Sequence, residues 1–277
     1  MPPRPPSGRI WRAVYPLLIF LGVPMVIGTV AGMVFGVNLV MSSMGGTPDI
    51  DALTRQLTQW MLDNALLLTL IADVICLAPF LPLWFSTRRG LPRYKSETNP
   101  LGVALLIVPA FIGLSLLVGI ILEVTGIYQL FSYDGVESAL MGGSAVVRVL
   151  AVAVAAPIVE DLCFRGVILG RLLSWADGWV AVLIQAAFFG LAHMNVVQSQ
   201  YAFAVGLALG FLYIRFRKLW LCIVGHFAFN LPSAVFSLLP DGGAGIQLWH
   251  LLIPGLIFVG VCGWLLWKQP KAERVMD

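Results

Sequence analysis

Residues 155–166 read Ala155-Ala156-Pro157-Ile158-Val159-Glu160-Asp161-Leu162-Cys163-Phe164-Arg165-Gly166, and this stretch decides how the chain must fold. Two adjacent carboxylates and an arginine stand in a run otherwise apolar enough to cross a bilayer. A charge at bilayer depth costs from ~2.5 to well over ~10 kcal/mol, so such groups are rare and usually paired or functional. At ~100° per residue, Asp161 and Arg165 stack one turn apart on one helix face, while Glu160 is turned from Arg165 by about 140°. Arg165 can therefore neutralise Asp161 within the helix and leave Glu160 to face something else. Pro157 removes a backbone hydrogen bond one turn earlier, loosening the helix where a polar cavity needs room. The competing reading is a buried structural ion pair with no chemistry.

The composition around this stretch fits only a membrane protein. Of 277 residues, 59% are hydrophobic and 11% charged, with a mean hydropathy of +0.91. A soluble domain carries about 25% charged residues. The fold class expected is all-α, a polytopic bundle of about eight transmembrane helices with no soluble domain. Eight apolar runs are near the ~20 residues a helix needs to span hydrocarbon; they cover 13–40, 61–86, 101–125, 141–173, 178–195, 199–216, 219–239 and 247–267. Basic residues (Arg4, Arg9, Arg12; Arg88, Arg89, Arg93, Lys95; Arg171; Arg215, Arg217, Lys218; Lys268, Lys271, Arg274) fall in alternate loops. Asp49, Asp51, Asp134, Glu137 and Asp241 mark the others. That alternation predicts a multi-pass protein of the cell membrane with both termini cytoplasmic. The net charge of +3 gives no reason to expect nucleic acid. Cys76, Cys163, Cys222 and Cys262 lie in apolar runs without metal spacing and read as buried thiols. The excess of arginine over lysine fits a GC-rich bacterial source.

Most of the remainder reads as packing. The glycines from Gly22 to Gly46 and Gly206 with Gly210 offer small-residue faces, and Asp51 to Trp60 is expected along the outer interface. Glu123 and Arg148 lie at matching depth and suit a pair or two snorkelling side chains. Asp73, midway along the second run, is either a second partner for Arg165 or part of the same cavity.

Two further polar patches follow the Glu160 stretch. Gln185, Phe189 and His193 share one helix face at successive turns, and so do His226 and Asn230. A lone intramembrane histidine is often a helix-contact residue. Counting from the cytoplasmic ends at ~1.5 Å per residue, however, Glu160 lies about 20 Å deep, His193 about 21–23 Å, His226 about 11 Å and Asn230 about 17 Å. Three helices thus deliver polar groups to one slab of the membrane. A carboxylate, two imidazoles and a carboxamide in a wet pocket are the parts for amide hydrolysis. Glu160 can act as base towards water, His193 can share the proton or position the water, and His226 and Asn230 can donate to the oxyanion. The same groups Glu160, His193 and His226 can alternatively hold Zn²⁺, although the H-E-x-x-H motif is absent.

Glu160-Asp161-x-x-x-Arg165, Phe189-x-x-x-His193 and His226-x-x-x-Asn230, in that order on separate helices, resemble the three motifs of the CPBP (CAAX protease and bacteriocin-processing) intramembrane proteases, which include the Rce1-type prenyl-protein endopeptidases. The resemblance covers roughly residues 140–240. It implies an eight-helix fold with a conical cavity opening towards the cytoplasm, water activated by Glu160 with help from His193, and an oxyanion hole of His226 and Asn230. Asp161, Arg165 and Phe189 would support these. No cofactor is implied, zinc included. Asp161 departs from the family's usual second glutamate; it suffices if it only pairs with Arg165 and is short if it must reach His193 or substrate.

The domain organisation expected is one integral membrane unit. Residues 1–140 give about three spans without a motif, 141–240 the motif-bearing core, and 241–277 the last helix and a basic tail. The activity expected is an intramembrane endopeptidase cutting near the cytoplasmic face, its partners being the bilayer and a peptide or lipidated-protein substrate. The rivals are a non-catalytic scaffold or immunity protein of the same fold, a zinc-dependent protease, and a proton-coupled transporter using Glu160 and Asp73 as a relay.

Overall fold

The structure, a computed structural model, describes residues 7–43, 49–131, 133–239 and 248–275. Arg4, Gly46 and Asp241, which enter the expectations above, lie outside the described residues. The protein is an all-α, multi-pass membrane protein. Among the described residues six helices are long and apolar enough to cross a bilayer unaided. These are α1 (Ser7–Ser42), α2 (Ile50–Arg89), α3 (Pro100–Thr125), and three in the last third of the chain. Between α3 and those three come the short α4 (Asp134–Met141), the long α5 (Ala145–Leu172) and α6 (Gly178–Ala192). The later spans are α7 (Val196–Phe216), α8 (Leu219–Phe236) and α9 (His250–Lys268). Each of the eight apolar runs is helical, but α6 has only 15 residues, about 22 Å, short of the ~30 Å hydrocarbon.

Asp51 to Trp60 does not lie separately along the interface. It forms the first turns of α2, a 40-residue helix with no proline before Pro79 to break it. α4 and α5 meet at 117°. The bend falls at Gly142 and Gly143: Gly143 has φ +72, and a Cβ on Gly142 would stand 2.6 Å from the Leu62 carbonyl oxygen.

α5 is not a uniform α-helix. Val149–Ala155 and Leu162–Leu169 wind with i→i+5 hydrogen bonds, flanking the α-helical Ala156–Asp161 that carries both carboxylates. Such π stretches concentrate at functional sites. Pro157 accounts for part of the first. The Ala156 N–H reaches back to the Ala151 carbonyl, so in the same pattern Val152 would be served by residue 157, which has no N–H.

α6 and α7 form a tight hairpin. The chain leaves α6 through His193, turns at Met194 (φ 52), and starts α7 with the Asn195 side chain accepting from the Val197 and Gln198 N–H groups. Three glycines allow the close approach: a Cβ would stand 2.8 Å from the Ser199 carbonyl at Gly190, 3.0 Å from Ala186 Cα at Gly206 and 2.8 Å from Val182 Cγ1 at Gly210. The small-residue face expected at Gly206 and Gly210 is therefore real. In α1 the effect is weaker; Gly22 has no neighbour within 4 Å, and Gly32 meets Met61 at an ordinary 3.4 Å.

The basic loops meet at one end of the bundle. Arg171 donates to Tyr15 Oη at 2.9 Å and Thr87 Oγ1 at 3.2 Å, and also to the Arg12 carbonyl. The guanidinium of Arg217 covers the Tyr94 ring. Tyr94–Lys95 (β1) pairs with Glu273–Arg274 (β2), and Arg215 binds the Trp267 carbonyl and, at 2.5 Å, that of Gln269. Five basic segments far apart in sequence thus share one face, and α4 sits at the other.

Candidate active site

The site begins with the ion pair the spacing predicts. Arg165 Nη1 is 3.0 Å from Asp161 Oδ1, with neither side chain exposed. The guanidinium also lies over the Phe189 ring, 4.2 Å from its centroid, a desolvated cation–π contact worth ~2 kcal/mol or more. Its nitrogens form no aligned hydrogen bond among the described residues. Arg165 is therefore held by charge and by the ring.

Asp161 does more than neutralise Arg165. Its other oxygen lies 3.2 Å from His226 Nδ1, and His226 Nε2 lies 3.5 Å from Glu160 Oε2. The four groups form one chain, Arg165–Asp161–His226–Glu160. A carboxylate oxygen only accepts, so His226 Nδ1 carries a hydrogen and Nε2 faces Glu160 with at most one proton between them. Glu160 keeps 15% of its side-chain surface, where Asp161 keeps none.

His193 sits at the C-terminal end of α6. Its Nδ1 lies 2.8 Å from the Phe189 carbonyl, one turn back. A carbonyl cannot donate, which places the hydrogen on Nδ1 and leaves Nε2 as an acceptor in the neutral ring. Phe189 packs edge-on against both imidazoles, its centroid 5.0 Å from His193 and 5.6 Å from His226. Asn230 Nδ2 donates to the Val152 carbonyl at 2.9 Å, the acceptor that Pro157 leaves without a helical donor. One amide hydrogen remains for a ligand.

Glu160, Phe189, His193, His226 and Asn230 all line one cavity of about 560 Å³. Asp161 and Arg165 lie behind its wall. A polar part of the wall has no counterpart among the motif residues: Tyr201 lines the same cavity and hydrogen-bonds to Tyr133 and Gln198. Gln198 and Tyr201, one turn apart on an apolar helix, were the available signal. Gln185, on the same face as His193, is fully buried beside Gly210 rather than in the cavity.

Several expectations are corrected. Among the described residues Asp73 forms no ion pair with Arg165 and does not line the cavity; it is buried, with one carboxylate oxygen unpartnered. Glu123 and Arg148 do not pair either. Glu123 accepts from Tyr128 Oη at 3.0 Å, and Arg148 donates to the Met141 carbonyl at 3.2 Å. No three His, Cys, Asp or Glu side chains among the described residues are grouped to hold a metal ion. Glu160, His193 and His226, the set weighed for zinc, do not form such a group. The depth count for His226 also fails. Leu219, the first residue of α8, is buried and meets Gly166, so α8 starts inside the bundle. From that level His226 is about 10 Å up α8 and Glu160 about 9 Å up α5.

Residues 142–232 match the family model described as Type II CAAX prenyl endopeptidase Rce1-like. Over this segment, about a third of its length, the chain is similar to the Rce1-like family. The Rce1-like segment contains every residue of the Arg165–Asp161–His226–Glu160 chain, together with His193 and Asn230. It is also similar to the protein named "Putative membrane peptidase YdiL" from Bacillus subtilis (strain 168), 30% identical over 88 residues, which is 32% of this chain and 36% of that relative. The likeness thus spans about a third of the relative's length. No solved structure matches the chain.

The cavity lies nearer the acidic loops than the basic ones. Tyr133, Leu140, Gly119 and Leu122 line it, all at or near the acidic end of their elements. On the basic side every residue from Asp161 to Gly170 is buried. The resemblance had implied a cavity opening on the basic side.

Proposed function

We propose that this protein is an intramembrane endopeptidase in which Glu160 activates water against a peptide carbonyl. The observation that carries the reading is His226 set between two carboxylates, Nδ1 on Asp161 and Nε2 on Glu160. With one proton shared between Nε2 and Glu160, the pair can exist as carboxylate and imidazolium. Glu160 then takes a proton from water, and the hydroxide attacks the carbonyl carbon. The oxyanion accepts from His226 Nε2–H and from the second amide hydrogen of Asn230. His193, with Nδ1–H spent on the Phe189 carbonyl, offers Nε2 to hold the water. Collapse breaks the C–N bond, and the proton on Glu160 passes to the departing amine. Asp161 and Arg165 act through His226, as positioning residues. The mechanism requires no metal.

Cleavage near the cytoplasmic face, implied by the resemblance, is the one element of the expected activity that the cavity's placement does not favour. A non-catalytic protein of the same fold would keep every contact but not turn over. The experiment is cleavage of a fluorogenic peptide library by purified protein in liposomes, wild type against His193→Ala. The expected result is turnover by wild type and a loss of ~10²-fold or more in the variant. Equal cleavage by both, or none by wild type, would remove the reading.

A further inference from the structure

The cavity has a floor on the basic side and a continuation on the acidic side. Below Glu160, towards the basic loops, Phe164, Val167, Ile168 and Leu169 are fully buried, and Gly166 is wedged so closely that a Cβ would stand 2.9 Å from the Trp84 ring. Towards the acidic loops a second cavity of about 510 Å³ shares Tyr133, Leu140, Val152 and Ser233 with the first. Its other walls carry Glu123, Asp134 and Arg148, polar groups suited to a hydrated passage rather than to lipid. α4 borders both cavities and has no buried residue, so it rests over the opening without being part of the packed core. At the opposite end, five basic segments are locked together by Arg171, Arg215, Arg217 and the β1–β2 pair.

We infer that the peptide reaches Glu160 from the acidic-loop face, through the passage beside α4. Positively charged loops stay on the cytoplasmic side, so this entrance faces away from the cytoplasm. The substrate class that fits is a peptide chain presented on the outer side: the outward end of a membrane-anchored segment or an exported peptide. A lipidated C-terminus presented at the cytoplasmic face does not fit. The route stands on the geometry alone; only the cleavage of what enters rests on the peptidase reading.

Two measurements separate the route from the chemistry. Ser233→Cys and Val136→Cys line the passage, and Ser86→Cys marks the basic face. All are made in full-length protein carrying Cys262→Ser, because the other three native thiols are buried. A membrane-impermeant maleimide sulfonate is added to intact cells or to inverted membrane vesicles. The inference expects Ser233→Cys and Val136→Cys to label from outside cells and Ser86→Cys only in inverted vesicles. Two passage positions keep the test valid if one variant does not fold. Labelling of both passage positions only in inverted vesicles, labelling of neither from either side, or labelling of Ser86→Cys from outside overturns it. The second measurement offers an impermeant fluorogenic peptide to one face of oriented proteoliposomes. Cleavage only from the acidic-loop face supports the route, and cleavage only from the basic face overturns it. Outside labelling with no cleavage from either face upholds the route and removes the peptidase reading.

Discussion

Replacing Asp161 with asparagine tests the buried chain at its centre. Neither Asp161 nor Arg165 has any exposed side-chain surface. The amide keeps the size of the carboxylate and removes the charge. The guanidinium then loses its paired carboxylate, and the Phe189 ring at 4.2 Å, a contact already present in the wild type, recovers nothing. Removing one partner of a buried pair costs ~3–5 kcal/mol, and that is the loss of unfolding free energy expected in mixed detergent micelles. Activity should fall as well. The asparagine oxygen can still accept from His226 Nδ1, but it no longer favours the imidazolium that the oxyanion needs, so a loss of ~10²-fold or more is expected. The double variant Asp161→Leu/Arg165→Met separates the two effects. Replacing a buried ion pair with apolar groups is neutral or stabilising by ~1–4 kcal/mol, while the His226 Nδ1–H left without Asp161 costs ~1–3 kcal/mol, so the double variant should be more stable than Asp161→Asn while cleavage stays lost. The reasoning is refuted if Asp161→Asn unfolds within about 1 kcal/mol of wild type, or if the double variant cleaves peptide normally.

Asn230→Ala leaves the Val152 carbonyl without its donor, at a cost of ~1–3 kcal/mol in unfolding measurements. Adding Pro157→Ala returns a backbone N–H to the helix and should make the pair less destabilised than the sum of the single changes. Gly190→Ala pushes a methyl to 2.8 Å from the Ser199 carbonyl; overpacking of this kind costs ~1–3 kcal/mol and should show as a lowered unfolding free energy. Asp73→Asn removes a buried carboxyl that pairs with nothing among the described residues, so cleavage should stay within about threefold of wild type, while a proton relay through Asp73 would lose it. Treatment with a chelator, with zinc measured per chain, should leave cleavage unchanged.

The helices and the motif residues were legible because both depend on local spacing. Apolar runs of span length mark helices, and the one-turn separation of Asp161 and Arg165 requires their pairing, which the structure gives at 3.0 Å. What depends on contacts between distant segments was not legible. The sequence offered Asp161 a partner in Arg165 but gave no sign of His226, which reaches it from another helix. Depth counting assumed that every helix starts at the membrane surface, and α8 starts inside the bundle beside Gly166. A uniform ~100° step per residue does not reveal the π stretches around Glu160, although Pro157 marks the place where that pattern has to give. The side on which the cavity opens depends on α4, a short helix whose polar residues Asp134 and Glu137 read as a loop in the sequence.

The claim that Glu160 activates the water is tested most directly by the rate of peptide cleavage in a Glu160→Gln variant that folds. Glu160 lies outside the buried Asp161–Arg165 pair and retains 15% of its side-chain surface, so the amide should leave the unfolding free energy near that of wild type. The account predicts a cleavage rate at least ~10²-fold lower. Cleavage at the wild-type rate by the folded variant would contradict it.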